Sequence, residues 1–253
     1  MIARELVSFL EARSPALGQE EGFKFGDPAT PVTGVLVCWM ATVAALECAV
    51  RERCNLVICH ETIFFPDSRA IEREMCWRSN RRKLELMSSG RLVVFRAHGA
   101  LDKLCIYDDF AQALGLGQVL KGEGYYRIFG ITPTKVGELA TTVKQAMGLP
   151  WVRVAGNPER VVSKVGLPWG GLGLFVNIGF MQDLAESGAE VLICGESDEY
   201  GMRFAVDSGL ELIETGHSLS ESFGLRHFAQ ELGQAHPDLP VVFCDNGPGW
   251  TLL

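Results

Sequence analysis

The sequence is poor in histidine, with five in 253 residues. Its eight cysteines contain no C-x-x-C pair, which leaves a zinc knuckle or a thioredoxin-type redox motif unsupported. It has no basic excess: Lys plus Arg is 23 against 31 for Asp plus Glu, a net charge of −8. That balance, with no basic run, speaks against strong electrostatic binding of nucleic acid and suits a protein that holds cations. Long apolar runs are also missing. The longest, Gly34 to Val50, contains Glu47 and closes on Arg51-Glu52-Arg53, too short to span a bilayer comfortably. Met1 to Arg13 mixes charges into an amphipathic helical pattern and lacks the apolar core of a secretory signal. A G-x-S-x-G elbow is absent as well, so a hydrolase-type serine triad has no anchor. Scattered cysteines without a targeting signal point to reduced thiols and a cytoplasmic location.

What is present is an alternation of short β-branched runs with runs of helical period, which argues for an α/β protein. Strands are expected at 32–37, 55–60, 92–98, 125–131, 152–155, 161–167, 190–194, 210–215 and 241–244. Helices are expected at 2–12, 42–53, 71–88, 134–147, 179–187, 198–208 and 221–232. The stretch Gly115 to Gly124 carries four glycines and marks a boundary between two α/β domains, 1–120 and 121–253.

The two halves echo one another. Asn-Leu-Val-Ile-Cys-His-Glu at 55–61 lines up with Glu-Val-Leu-Ile-Cys-Gly-Glu at 190–196. Further on, the stretch 94–102 lines up with 213–221, each giving a strand, a histidine, three residues and a carboxylate. Three polar clusters result: His60-Glu61, His98 with Asp102, and His217 with Glu221. All lie where an apolar strand ends, which is where ligand sites of open α/β sheets are found. Imidazole with carboxylate suits borderline divalent metals, and this many ligands suits two ions sharing a carboxylate.

Each cluster also has an ordinary reading. Asp102 can be a helix N-cap, and Ser218-Leu-Ser-Glu221 matches a capping box. His98 and His217 can be polar stubs that close buried strands. Taken jointly, three of five histidines with neighbouring carboxylates favour a shared site. His227 and His236 have no such partner in the sequence. Glu196, at another strand end, is a candidate general base or a group that orients a ligand. Gly170-Gly171-Leu172-Gly173 reads as a tight turn, because a nucleotide fingerprint needs fuller spacing. Arg69, Arg73, Arg78, Arg81, Arg82 and Lys83 read as a solvated basic face, with an anionic groove as the alternative.

At these residues the chain resembles the Nif-three-like family, the NGG-interacting-factor-three-like proteins. Members carry names such as GTP cyclohydrolase type-two homolog and dinuclear metal-centre protein. The likeness runs through Phe25-Gly26-Asp27, Val32-Thr-Gly-Val-Leu-Val37, His60-Glu61-Thr-Ile-Phe-Phe65, Ala97-His98-Gly-Ala-Leu-Asp102, Cys194-Gly195-Glu196 and Gly216-His217-Ser-Leu-Ser-Glu221. It covers nearly the whole chain.

The resemblance implies two related α/β domains with mixed sheets, the last part of the chain packing back into the first domain. It implies a two-metal site between the domains, a homohexameric ring and metal-dependent hydrolysis of a nucleotide or phosphoester. A non-catalytic metal-binding or scaffold hexamer is the alternative. The metal ligands fall on His60, Glu61, Asp102, His217 and Glu221. His98 lines the site and, with Glu196, is a catalytic candidate. The two ions would be zinc, manganese, iron or magnesium, the substrate small and anionic. Two departures stand out. Glu61 replaces the second histidine of the family's His-His pair, making the site harder and more negative. Gly99-Ala100 replaces a polar Thr-Asn pair.

Overall fold

The computed structural model describes residues 1–13, 20–66 and 72–251. The chain resolves into two units, one of residues 1–106 and 224–249, the other of 107–223 and 250–253. The first crossing therefore precedes the glycine-rich stretch 115–124, which lies inside the second unit.

The first unit opens with α1 (Ala3–Arg13), β1 (Gly22–Phe25), β2 (Val35–Cys38), α2 (Val43–Arg51) and β3 (Leu56–Cys59). It continues with α3 (Glu72–Met75), α4 (Arg78–Ser89), β4 (Val93–Arg96), α5 (Gly99–Leu101) and a π-helical stretch, Asp102–Ile106. The second unit contains α6 (Tyr107–Ala113), β5 (Gln118–Lys121), β6 (Ile128–Lys135), α7 (Val136–Ala146), β7 (Arg153–Ala155) and β8 (Val161–Gly166). After a 3-10 turn at Phe175–Asn177 come α8 (Ile178–Glu186), β9 (Val191–Cys194), α9 (Glu199–Asp207) and β10 (Glu211–Glu214). Helix α10 (His217–Ala235) begins in the second unit and ends in the first, which closes with β11 (Val241–Cys244).

Each unit holds one mixed sheet. The first runs β1-β4-β3-β2-β11 and the second β5-β6-β8-β9-β10-β7. In the first, β2, β3, β4 and β11 pair in parallel and β1 lies antiparallel to β4. In the second, β8, β9 and β10 pair in parallel and β7 lies antiparallel to β10. The path β1-β2-α2-β3-α4-β4 is thus repeated by β7-β8-α8-β9-α9-β10. The echo read in the sequence is a repeat of topology. Its second segment sits one residue off register, since Cys59 faces Arg96 while Cys194 faces Glu214.

The central strands read Val-Leu-Val-Cys, Leu-Val-Ile-Cys, Val-Val-Phe-Arg, Val-Leu-Ile-Cys and Glu-Leu-Ile-Glu, and every residue in them is buried. Parallel strands covered on both faces favour apolar residues, and the charged exceptions are in ion pairs: Arg96 with Glu61, Glu211 with Arg160 and Glu214 with Arg153. The first unit has a core cluster around Leu36, Leu46, Val57 and Val94, and the second unit one around Leu184, Leu192, Ala205 and Leu212. Among the described residues no helix is long and apolar enough to cross a membrane.

Several expectations need correction. The helix expected at 71–88 is broken into α3 and α4; Arg69 and Ile71 lie outside the described residues. The break has a cause. The buried side chain of Asn80 donates to the Glu74 carbonyl at 3.0 Å and to the Phe65 carbonyl at 2.7 Å, and accepts from Phe65 N–H at 2.9 Å. The Glu74 carbonyl also accepts from Trp77 N–H at 2.9 Å, which tightens the turn. Nor is Lys83 on a solvated face: it is buried and donates to the Ile63 carbonyl, and burial holds its pKa below the ordinary lysine value. Ser218 and Glu221 form no capping box, because α10 starts earlier, at His217. Asp102 does not precede the helical run as an N-cap would; it ends α5 and opens the π-helical stretch.

Truncating Asn80 strands backbone groups of Phe65 and Glu74 in the interior. Asn80→Ala is expected to cost about 2–4 kcal/mol, read as a lower urea midpoint at unchanged slope.

Candidate metal centre

In the first unit the site grows from two adjacent parallel strands. β3 and β4 pair so that Cys59 stands beside Arg96, and both strands release their next residues at the same sheet edge. His60 and Glu61 follow β3; His98 follows β4. Asp102 lies four residues on, where the helical run widens into its π-helical stretch, a feature found often at functional sites.

His60 is fully buried. Its Nδ1 lies 3.3 Å from the Ala97 carbonyl. A proton donated there leaves the Nε2 lone pair outward, toward Asp102 Oδ1 at 3.8 Å. The His60 and His98 rings are tilted at 47° with centroids 4.6 Å apart. One ligand atom each from His60, His98 and Asp102 lies within 4.8 Å of the others. Burial lowers the pKa of His98, and the neighbouring His60 lowers it further, against the opposing pull of Glu61 and Asp102. A neutral imidazole is the form that binds metal.

Glu61 stands between an imidazole and a guanidinium. Its carboxylate is 3.7 Å from His98 Nε2 and 3.7 Å from a guanidinium nitrogen of Arg96. Arg96 is itself buried, donates to the His60 carbonyl at 3.2 Å and pairs with Glu20 at 3.2 Å. The carboxylate that replaces the family's second histidine therefore comes with its own countercharge.

The second unit repeats the pattern with different groups. Beyond β9 come Gly195 and Glu196; beyond β10 come Thr215, Gly216 and His217. Glu196 Oε2 is 2.9 Å from His217 Nδ1, and His217 Nε2 is 3.5 Å from Glu221 Oε1, one helical turn on. The hydrogen bond with His217 holds the Glu196 carboxyl below the ordinary carboxylate range, against its partial burial. Glu221 is buried.

The glycine turn at 170–173 belongs to this site. Gly170 has φ of +53°, and a Cβ there would overlap the Glu221 carboxylate and crowd His217. Its N–H donates to Ser220 Oγ at 3.0 Å, while Ser220 Oγ–H donates to the His217 carbonyl at 2.8 Å. Spacing alone marked this turn only as tight. Its link to His217 and Glu221 depends on contacts across some fifty residues, which no local pattern carries. Ser220 and Arg96 were missed for the same reason. Among the other histidines, His227 lies 3.8 Å from Glu231 on the surface of α10, and His236 follows that helix. Arg82, from the expected basic face, pairs with Glu47 at 3.0 Å.

A family model described as Duf34/NIF3 (NGG1p interacting factor 3) matches residues 1–248. The chain belongs to this family. NIF3 relatives named GTP cyclohydrolase 1 type 2 homolog include one from Nostoc sp., 27% identical over 198 residues, covering 74% of this chain and 72% of that one. Another, from Escherichia coli K12, is 28% identical over 218 residues and covers 85% and 83%. A Bacillus cereus protein related to NIF3 shares the fold with a TM-score of 0.82 at 17% identity, covering 100% of this chain and 99% of its own. Reduced HcgD from Methanocaldococcus jannaschii gives 0.75 at 19% identity, with 96% and 97% covered.

Two outcomes follow from this geometry. Gly170→Ala places a methyl group against Glu221 at a positive φ and is expected to lower stability by about 1–3 kcal/mol, measured by thermal melting. In metal-free protein, Glu196 adds stability above its unfolded pKa near 4.5 and loses it as pH falls through its lower folded value. Glu196→Gln is therefore expected to be less stable than wild type at neutral pH and to converge with it in acid, read as urea midpoints across pH 2–7.

Proposed function

We propose that the chain holds two divalent metal ions and is a metal-dependent hydrolase acting on a nucleotide or phosphoester. The observation that carries this reading is the convergence of His60, His98 and Asp102 donor atoms within 4.8 Å of one another in the first unit. The donor set fits the group: two imidazoles and a carboxylate match borderline metals such as zinc, iron or manganese. In the second unit His217 and Glu221 supply the same two donor types at 3.5 Å. The shared name GTP cyclohydrolase 1 type 2 homolog among relatives supports a nucleotide as substrate.

Bound divalent ions supply Lewis acidity and an acidified water at neutral pH. The chain's own groups prepare for that. Ala97 fixes the ring of His60, and Glu196 fixes that of His217, so that in each the Nε2 atom faces a carboxylate. Glu196 is thereby an orienting group for His217. Burial holds the pKa of His98 down, which favours the neutral imidazole that can take a proton or a ligand. Arg96 balances Glu61 and limits the negative charge that a small anionic substrate would meet. The homohexameric ring implied by the resemblance belongs to the same proposal.

A second reading, metal binding without turnover, is favoured by one observation: Glu61 is already engaged by Arg96 and His98, so it is a weaker ligand than a histidine would be.

Elemental analysis after chelator-free purification tests the first reading. About two ions per chain are expected in wild type, with the first-unit ion lost in Asp102→Ala. A nucleotide and phosphodiester panel should show turnover that Glu221→Ala abolishes without unfolding. Metal-free protein that resists reconstitution, with Asp102→Ala indistinguishable from wild type, would overturn it. Stoichiometric metal without turnover on any substrate selects the second reading.

A further inference from the structure

The first unit also carries a group of thiols that the metal reading leaves aside. β11, β2 and β3 are parallel neighbours, and Cys244, Cys38 and Cys59 are register partners across them. Register partners point to the same face, so three thiols stand side by side under α2. Cys48, on α2, packs on the same core cluster. Cys38 and Cys59 are fully buried, and burial pushes both thiols up, Cys59 to about 12. Cys48 and Cys244 are each half-buried.

Two observations single out that half-buried pair. Cys48 and Cys244 pack on the same core cluster, and after burial Cys48 is the main influence that pushes the Cys244 thiol up. Arg51, nearly one turn along α2, places a guanidinium nitrogen 3.1 Å from Cys48 Sγ. A soft-metal site would need three or more converging donors. The close groups of potential ligands include no cysteine among the described residues. A reaction between two sulfurs needs only the pair.

We propose that Cys48 and Cys244 are a reversible redox site, oxidised to a disulfide by exchange with a low-molecular-weight disulfide, which ties α2 to the edge strand β11. Cys48, with the Arg51 guanidinium 3.1 Å from its sulfur, attacks one sulfur of glutathione disulfide as its thiolate. A mixed disulfide forms and one glutathione thiolate leaves and is protonated. Cys244 then releases its proton to water and attacks the Cys48 sulfur, expelling the second glutathione. The two protein thiols lose two electrons, and one glutathione disulfide becomes two thiols. Cys244, its pKa pushed up to about 11 by burial and by Cys48, is held as the thiol and acts second. This site is independent of the metal reading and holds whether or not the protein is an enzyme.

The test is incubation of the reduced, folded wild-type chain with excess glutathione disulfide, quenched by N-ethylmaleimide and resolved by peptide mapping. The expected product joins the peptides of Cys48 and Cys244 and is lighter by two hydrogens. The exposed Cys76 serves as comparator for ordinary surface reactivity. Cys244→Ser should trap a lasting glutathione adduct on Cys48, and Arg51→Gln should slow the Cys48 step about threefold to tenfold. Three results overturn the proposal: glutathione persisting on wild-type Cys48, a bridge from Cys48 to Cys38, or Cys48 and Cys244 both alkylated while Cys76 has reacted. The wild-type map decides the matter even if a serine variant fails to fold.

Discussion

Everything at the candidate centre depends on the parallel pairing of strands whose ends coincide. β3 and β4 run together from Leu56 and Val93 to Cys59 and Arg96. That register delivers His60, Glu61 and His98 to one edge without any long loop. A slip of one residue would turn His60 away from His98 and bring Arg96 to another partner. Helix α10 depends on a similar close fit. Gly224 lets it approach the backbone of Ile106 to a distance at which a Cβ would not fit, and Ile106 ends the π-helical stretch that Asp102 begins.

Charge at the centre is arranged in compensated pairs. Each carboxylate after a sheet strand has a cation or an imidazole against it: Glu61 has Arg96 and His98, Glu196 has His217. Burying carboxylates at a narrow edge is costly unless they are paired or coordinate a cation. Here the pairing is in place within the protein, and it also aims the imidazoles. The expected acidity of the chain thus resolves into local groups with defined partners.

Much of this was legible in the sequence, for a physical reason. Strands buried on both faces are largely apolar, so β2, β3, β9 and most of β4 announced themselves, and the polar residues just beyond them stood out. β5 is exposed at every position and β1 is half-buried at all four, so neither carries an apolar signature. The helical run from Gly99 to Ala113 was missed because it opens on glycine and its π-helical stretch breaks the 3.6-residue period. The roles of Arg96, Gly170 and Ser220 depend on neighbours distant along the chain. Lys83 was misread because its charge suggests solvent, whereas a carbonyl and the Phe65 ring hold it inside.

The topological repeat is unequal where its strands end. Position 60 after β3 is histidine, and its counterpart after β9 is Gly195. A Cβ at Gly195 would collide with the Gly170 backbone and with Ser220 Oγ, so no side chain can be restored there while the turn at 170 stays where it is. The two copies are committed to unequal donor sets: a pair of imidazoles in one, a single imidazole in the other. The equivalent strand ends of the two units thus present different side chains, and the difference is held in place by backbone packing rather than by the residues of the strands themselves.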